Sequence, residues 1–150
     1  MISSQVVQFA SLSLDERRNI VESWNLENVK NRLKKYMPVD FDIPTSIAEY
    51  RQWLLLCSAD SRWLFVPNPE LDEVWHTHLL FSRDYKNLCE ALLGAGGFIH
   101  HEPESGEERI SNEEMATMRE VSIEILGKVP FRIGQYLTSS KGWCWTCESM

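Results

Sequence analysis

Residues 68–94 read NPELDEVWHTHLLFSRDYKNLCEALLG, and this stretch decides the fold class. It begins with Asn68, a favourable N-cap residue, and with Pro69 at the first helical position. It ends at Gly94, which is a typical C-terminal stop. Because apolar residues recur at helical spacing between these two ends, the stretch predicts one continuous helix, the longest of the chain.

Three further segments carry helix signals of the same kind. Their starts are capping boxes at Ser13–Glu16, Ser46–Glu49 and Ser111–Glu114, and their ends lie near Met37, Ala59 and Gly127. The apolar phase slips near Asn25, so the first segment is either one bent helix or two. Strand-like alternation is nearly absent, and residues 132–150 have no clear period. The sequence therefore predicts an all-α fold of four to five helices in a single domain, 1–150, with an irregular C-terminal tail.

Composition limits the classes of function. The chain has 150 residues and a formal net charge of −7, and its only strongly basic run is residues 32–35. Phosphate binding needs a concentrated basic surface, so nucleic acid is a poor partner and we expect none. The N-terminus lacks the basic start of a signal peptide, and no apolar run approaches the roughly 20 residues that span a bilayer. We expect a soluble, cytoplasmic protein without membrane contact, with its four cysteines as reduced thiols.

Two histidines lie one residue apart on the predicted long helix. Positions two apart on a helix point to nearly opposite sides, so His76 and His78 do not share a face. His78 falls on the apolar stripe, together with Trp75 and Tyr85. His76 and Asp72 fall off that stripe, with Asp72 one turn earlier and close enough for its carboxylate to hold the imidazole.

The other two histidines, His100 and His101, follow a glycine-containing segment after Gly94. An extended return along the helix would carry one of the two imidazoles into reach of His78. We therefore expect a polar pocket that binds a metal ion or a small ligand.

The proposed pocket residues are Asp72, Trp75, His76, His78, Tyr85, His100 and His101, and the proposed metal ligands are His78, His101, His76 and Asp72. Imidazole and carboxylate suit zinc, iron or nickel. The alternative is that His78 is a buried, hydrogen-bonded core residue. The HExxH arrangement of zinc proteases is absent.

The tail residues WCWTC contain a CxxC pair, Cys144 and Cys147. This pair is half of a zinc site, a redox pair or two ordinary thiols, and it is a weaker second metal site. Cys57 and Cys89 lie on helix stripes, where small buried side chains are the expected role. The tryptophans of the tail would suit docking of a protein partner.

The chain contains the stretches EYRQWLLL, VPNPELDEVWHTHLLFSRDYKNLC and GGFIHHEP. Together these stretches resemble the glycine-rich domain-containing protein-like family, in its short bacterial form. The resemblance covers residues 47–103 and extends less clearly to 131. The matching signature is Asp72-x-x-Trp75-His76-x-His78, Tyr85, Cys89 and His100-His101. The resemblance implies little about activity, and the glycine-rich segment of the plant members is missing here.

These observations leave three functions open. The first is a helical binding protein with the histidine-rich pocket. The second is an enzyme, in which His76 oriented by Asp72 acts as a general base or a metal held by His78 and His101 activates water. The third is a protein-interaction module with structural histidines.

Overall fold

The computed structural model describes residues 12–59, 68–100 and 112–127. Six helices lie in these ranges: α1 (Leu14–Ser23), α2 (Glu27–Tyr36), α3 (Ile43–Ala59), α4 (Pro69–Leu80), α5 (Ser82–Leu93) and α6 (Asn112–Leu126). The described ranges contain no strand, which confirms the all-α prediction. Among these same residues, no helix is both long and apolar enough to cross a membrane. The predictions for Ser111, His101, Cys144, Cys147 and the tail fall outside the described residues.

The predicted long helix is broken at Phe81, so the prediction of one continuous helix is wrong. The Phe81 N–H donates to the His78 carbonyl, three residues back, over 2.9 Å. Its backbone angles, φ −94° and ψ 64°, are not helical, and the next helix starts at Ser82. The break adds a helix to the four or five expected and turns α5 relative to α4.

The start of α4 and the end of α5 lie where the cap residues of the sequence predict them. The Asn68 side chain accepts a hydrogen bond of 2.7 Å from the Leu71 N–H, which satisfies one of the unpaired donors at the start of α4. Gly94 follows α5 with φ at 96°, a conformation that a residue with a Cβ rarely adopts.

The other helix starts agree only in part. The Ser13–Glu16 capping box is present, and the first segment forms two helices, α1 and α2. The predicted start at Ser46 is wrong, because α3 begins at Ile43. The Asp42 carboxylate accepts hydrogen bonds from the N–H and the hydroxyl of Thr45, so it caps the helix earlier than Ser46 could.

Helix α3 is at the centre of the core and contacts α1, α2, α4 and α6. Its apolar residues Tyr50, Trp53 and Leu54 are buried, and Trp53 packs on Trp75 of α4 with ring centroids 4.5 Å apart. Burying each such side chain stabilises the fold by about 1.5–3 kcal/mol. The core therefore fixes α4 against α3.

Three arginines bind the C-terminal ends of neighbouring helices. Their side chains donate as follows: Arg17 to the Ser58 carbonyl (2.9 Å), Arg18 to the Ile125 carbonyl, and Arg51 to the carbonyls of Val21 (2.6 Å) and Trp24 (2.8 Å). The last carbonyls of a helix have no intrahelical donor and carry partial negative charge. These arginines therefore hold α1, α3 and α6 together at their ends.

Candidate functional site

His78 lies at the centre of a buried network that joins α3, α4 and α5. Its side chain is fully buried. Nδ1 lies 2.7 Å from the hydroxyl of Tyr50, and Nε2 lies 2.7 Å from Oδ2 of Asp84. Both ring nitrogens of His78 therefore have partners within the protein, as expected for a hydrogen-bonded core histidine.

The protonation of this network follows from its burial. Burial lowers the pKa of His78, the Asp84 carboxylate opposes this, and the Arg51 guanidinium adds to the lowering. Burial also raises the pKa of Tyr50 well above its ordinary value, so its hydroxyl keeps its proton. A neutral imidazole satisfies both contacts in one tautomer: the Tyr50 O–H donates to Nδ1, and Nε2–H donates to Asp84.

Asp84 is a partner that the sequence analysis missed. Its side chain is 44% exposed, and the same Oδ2 that faces His78 lies 3.1 Å from Nε1 of Trp24, which donates to it. On a continuous helix a residue six positions on is rotated by roughly 240°, away from His78. The break at Phe81 brings Asp84 back to His78, and neither the cap signals nor the apolar period marks this break.

The two aromatic residues predicted to line the pocket, Trp75 and Tyr85, are buried in the core. Trp75 Nε1–H donates to the Tyr85 hydroxyl over 2.8 Å, and the Tyr85 hydroxyl donates to the Ile99 carbonyl. Burial raises the pKa of Tyr85, so this hydroxyl also keeps its proton. The polar atoms of the pair thus join α4, α5 and the segment after α5.

The segment after α5 returns along the helix as expected, but the residue that it buries in the core is Ile99 and not His100. Ile99 is 1% exposed, whereas His100 is exposed. The rings form a series with centroid separations of 5.2 Å from His78 to Tyr85, 5.2 Å from Tyr85 to Phe98, and 4.8 Å from Phe98 to His100. The rings of Tyr85 and Phe98 therefore connect the imidazoles of His78 and His100.

Asp72 and His76 form a second polar pair on α4. His76 Nδ1 lies 3.5 Å from Asp72 Oδ2, and the side chain of His76 is 43% exposed. The spacing of one helical turn agrees with the sequence prediction. The expectation that Asp72 lies off the buried stripe is wrong, because its side chain is fully buried. Packing against neighbouring helices widens the buried face beyond the stripe that the apolar residues mark.

The described residues contain no group of three or more His, Cys, Asp or Glu side chains placed to hold a metal ion. Cys57 and Cys89 are buried thiols, which confirms their predicted role. Burial raises the pKa of the Cys89 thiol, so it is a poor thiolate ligand.

A family model described as UCP032817-like matches residues 16–122, well over half of the sequence. The chain therefore belongs to the UCP032817-like family. The description of that family names no activity. The match begins within α1, includes α2 to α5 and ends within α6, and so it starts well before the segment that carries the sequence resemblance. No curated protein and no solved structure is significantly similar to the chain.

Proposed function

We propose that this helical domain binds a metal ion or a small ligand through His76, with Asp72 as the residue that positions the imidazole. The observation that supports the proposal is a fully buried carboxylate one helical turn from a half-exposed imidazole. Burying a carboxylate costs several kcal/mol unless it is paired. The Asp72 carboxylate lies 3.5 Å from Nδ1 of His76, so it is placed to orient that imidazole, whose partly exposed side chain remains accessible to a ligand.

The pair suits ligand binding for a chemical reason. A carboxylate facing Nδ1 favours the tautomer that carries its proton on that atom, which makes Nε2 the basic, ligand-binding nitrogen. Zinc and iron are the candidate metals, since imidazole nitrogen suits both. We propose His101 as a further ligand, because the resemblance to glycine-rich domain-containing proteins includes the His100-His101 pair. His78, whose nitrogens face Tyr50 and Asp84, supports the fold in this proposal.

Native mass spectrometry of protein purified without an affinity tag tests the proposal. The wild-type chain should carry the extra mass of one metal ion or small ligand, and elemental analysis should identify a metal. His76→Ala should lose this mass. Asp72→Asn should weaken metal binding by about 10- to 100-fold, the usual effect of removing a partner of a ligating histidine.

Glu73→Gln is the matched control, because it removes a carboxylate from the neighbouring position of α4 and should leave the bound mass unchanged. The proposal would be refuted if the wild-type chain carried no extra mass and took up no added zinc or ferrous iron. Retention of the bound mass by His76→Ala would do the same. Loss of zinc only on replacing Cys144 and Cys147 would place the metal site in the tail.

The second candidate is a protein-interaction module with structural histidines. The observation that favours it is that both nitrogens of His78 already have partners in the core. For such a module, His76→Ala should leave stability and partner binding unchanged, and deletion of the aromatic tail should abolish partner binding. A pull-down with the chain truncated after residue 131 distinguishes this module from the ligand-binding domain.

A further inference from the structure

A cleft of about 250 Å³ lies between α1, α3 and α6. Its described lining residues belong to none of the elements that carry the histidines. The accessible apolar surface of the lining comes from Ala48, which is exposed, and Leu126, which is half-buried, because Val21 and Leu55 are almost completely buried. The polar part of the lining comprises two arginines, a glutamine and a glutamate. An apolar wall with a few converging polar groups is typical of small-molecule sites.

Backbone carbonyls and the Asp15 carboxylate hold the two arginines of the cleft in place. Arg51 uses Nη1 for both of its carbonyl contacts at the end of α1. Arg18 uses one terminal nitrogen for Asp15 and the other for the Ile125 carbonyl. Each guanidinium carries five N–H donors, so these contacts fix the planar group without using all of its donors. Guanidinium groups fixed in this way are suited to binding a carboxylate through paired hydrogen bonds.

The lining residues of the cleft carry more positive than negative charge. Arg18 and Arg51 contribute two positive charges and Glu22 one negative charge, and Asp15, outside the lining, pairs with Arg18 at 2.8 Å and offsets part of its charge. Arg51 is partly buried, and burial lowers its pKa while Glu22 opposes that change. A partly desolvated cation favours an anionic ligand, with which Glu22 would compete.

We propose that this cleft binds a small monocarboxylate with an apolar body. The carboxylate would accept hydrogen bonds from Arg51 and Arg18, and Gln52 would donate to it at the same edge. The apolar part would lie on Ala48 and Leu126, the apolar lining residues that remain accessible. The volume admits about ten non-hydrogen atoms, near the lower limit of small-molecule sites. The inference is independent of the proposed function, since it uses neither His76 nor Asp72.

Calorimetric titration of the full chain with phenylacetate tests the inference, with phenylacetamide and inorganic phosphate as probes of matched shape and of charge alone. Phenylacetate should bind with a Kd of about 0.1–1 mM, as expected for a ligand of this size. Phenylacetamide and phosphate should each bind at least tenfold more weakly, because phenylacetamide lacks the negative charge and phosphate lacks the apolar body.

Two variants at exposed positions locate the site while leaving the structural arginines intact. Glu22→Gln removes the competing carboxylate and should tighten phenylacetate binding by about two- to fivefold, the range of a partly exposed ion pair. Ala48→Trp fills the cleft from its rim and should weaken binding at least tenfold. Their matched controls are Glu120→Gln and Asn87→Trp, at exposed positions outside the cleft lining.

Equal binding of phenylacetate and phenylacetamide would overturn the inference, as would an unchanged Kd in Glu22→Gln. Undetectable binding of phenylacetate to the wild-type chain would also overturn it. The variant His76→Ala should bind phenylacetate normally, so failure of this cleft and failure of the histidine site give different results.

Discussion

Replacing Tyr50 with phenylalanine tests the buried network directly. The substitution removes one hydroxyl, which lies 2.7 Å from His78 Nδ1, and keeps the ring that packs on Trp53. The site is fully buried, so water cannot replace the lost donor without opening the core. Leaving one buried acceptor without its donor costs about 1–3 kcal/mol. For a domain of this size the melting temperature should fall by about 3–9 °C.

Urea unfolding, followed by tryptophan fluorescence and by circular dichroism, measures this loss. The midpoint should decrease while the denaturant slope stays unchanged, since the surface exposed on unfolding is the same. Tyr36→Phe is the matched control, because Tyr36 is 57% exposed, and its free energy of unfolding should change by less than about 0.5 kcal/mol. A loss of less than about 0.5 kcal/mol in Tyr50→Phe would refute the network as described.

The same variant has a second measurable effect. In the wild-type chain the Tyr50 hydroxyl donates to Nδ1, which favours the neutral form of His78. Without that donor, Nδ1 is more readily protonated, so the pKa of His78 should rise in Tyr50→Phe. An NMR titration of the ring signals measures this pKa. A fall in the pKa of His78 would contradict the tautomer assigned here.

Three further predictions concern the same part of the fold. The folded chain binds a proton at His78 more weakly than the unfolded chain does, because burial lowers the pKa of His78. The free energy of unfolding should therefore decrease as the pH falls below about 6.5 and level off below the folded-state pKa. Denaturation measured from pH 7.5 to 5 should show a flatter dependence of this free energy on pH in His78→Gln. Asp84→Ala removes the acceptor of both His78 and Trp24, so stability should fall by about 1–3 kcal/mol and tryptophan emission should shift to the red, whereas an unchanged spectrum would argue against the Trp24 contact. Gly97→Ala places a Cβ 2.4 Å from the Cβ of Leu93, so the return segment must shift, and thermal unfolding should show a loss of at least about 1 kcal/mol.

The type of each helix could be predicted because caps and apolar spacing are local signals. Asn68 and Gly94 mark their ends correctly, and the apolar residues of α4 and α5 are buried as their spacing indicates. The break at Phe81 could not be predicted, because the apolar pattern continues through it without a proline or glycine. Contacts with other parts of the fold must favour the break over the helical preference of the local sequence.

In the candidate site, too, the features set by local sequence could be predicted and those set by tertiary contacts could not. The one-turn spacing of Asp72 and His76 is a property of any helix and was predicted. The burial of Asp72 depends on which neighbouring helices cover that side of α4, and this is tertiary information. Similarly, the partners of His78 come from α3 and α5, so the sequence indicated a satisfied core histidine but not the groups that satisfy it.

The position of His78 between a buried phenol and a half-exposed carboxylate gives the protein an internal reporter of opening. Its Nε2 proton can exchange with solvent only when Asp84 leaves it, which requires α5 to separate from α4 or the Asp84 side chain to rotate away. The exchange rate of this single proton would therefore measure how often the contact between His78 and Asp84 opens while the rest of the domain stays folded.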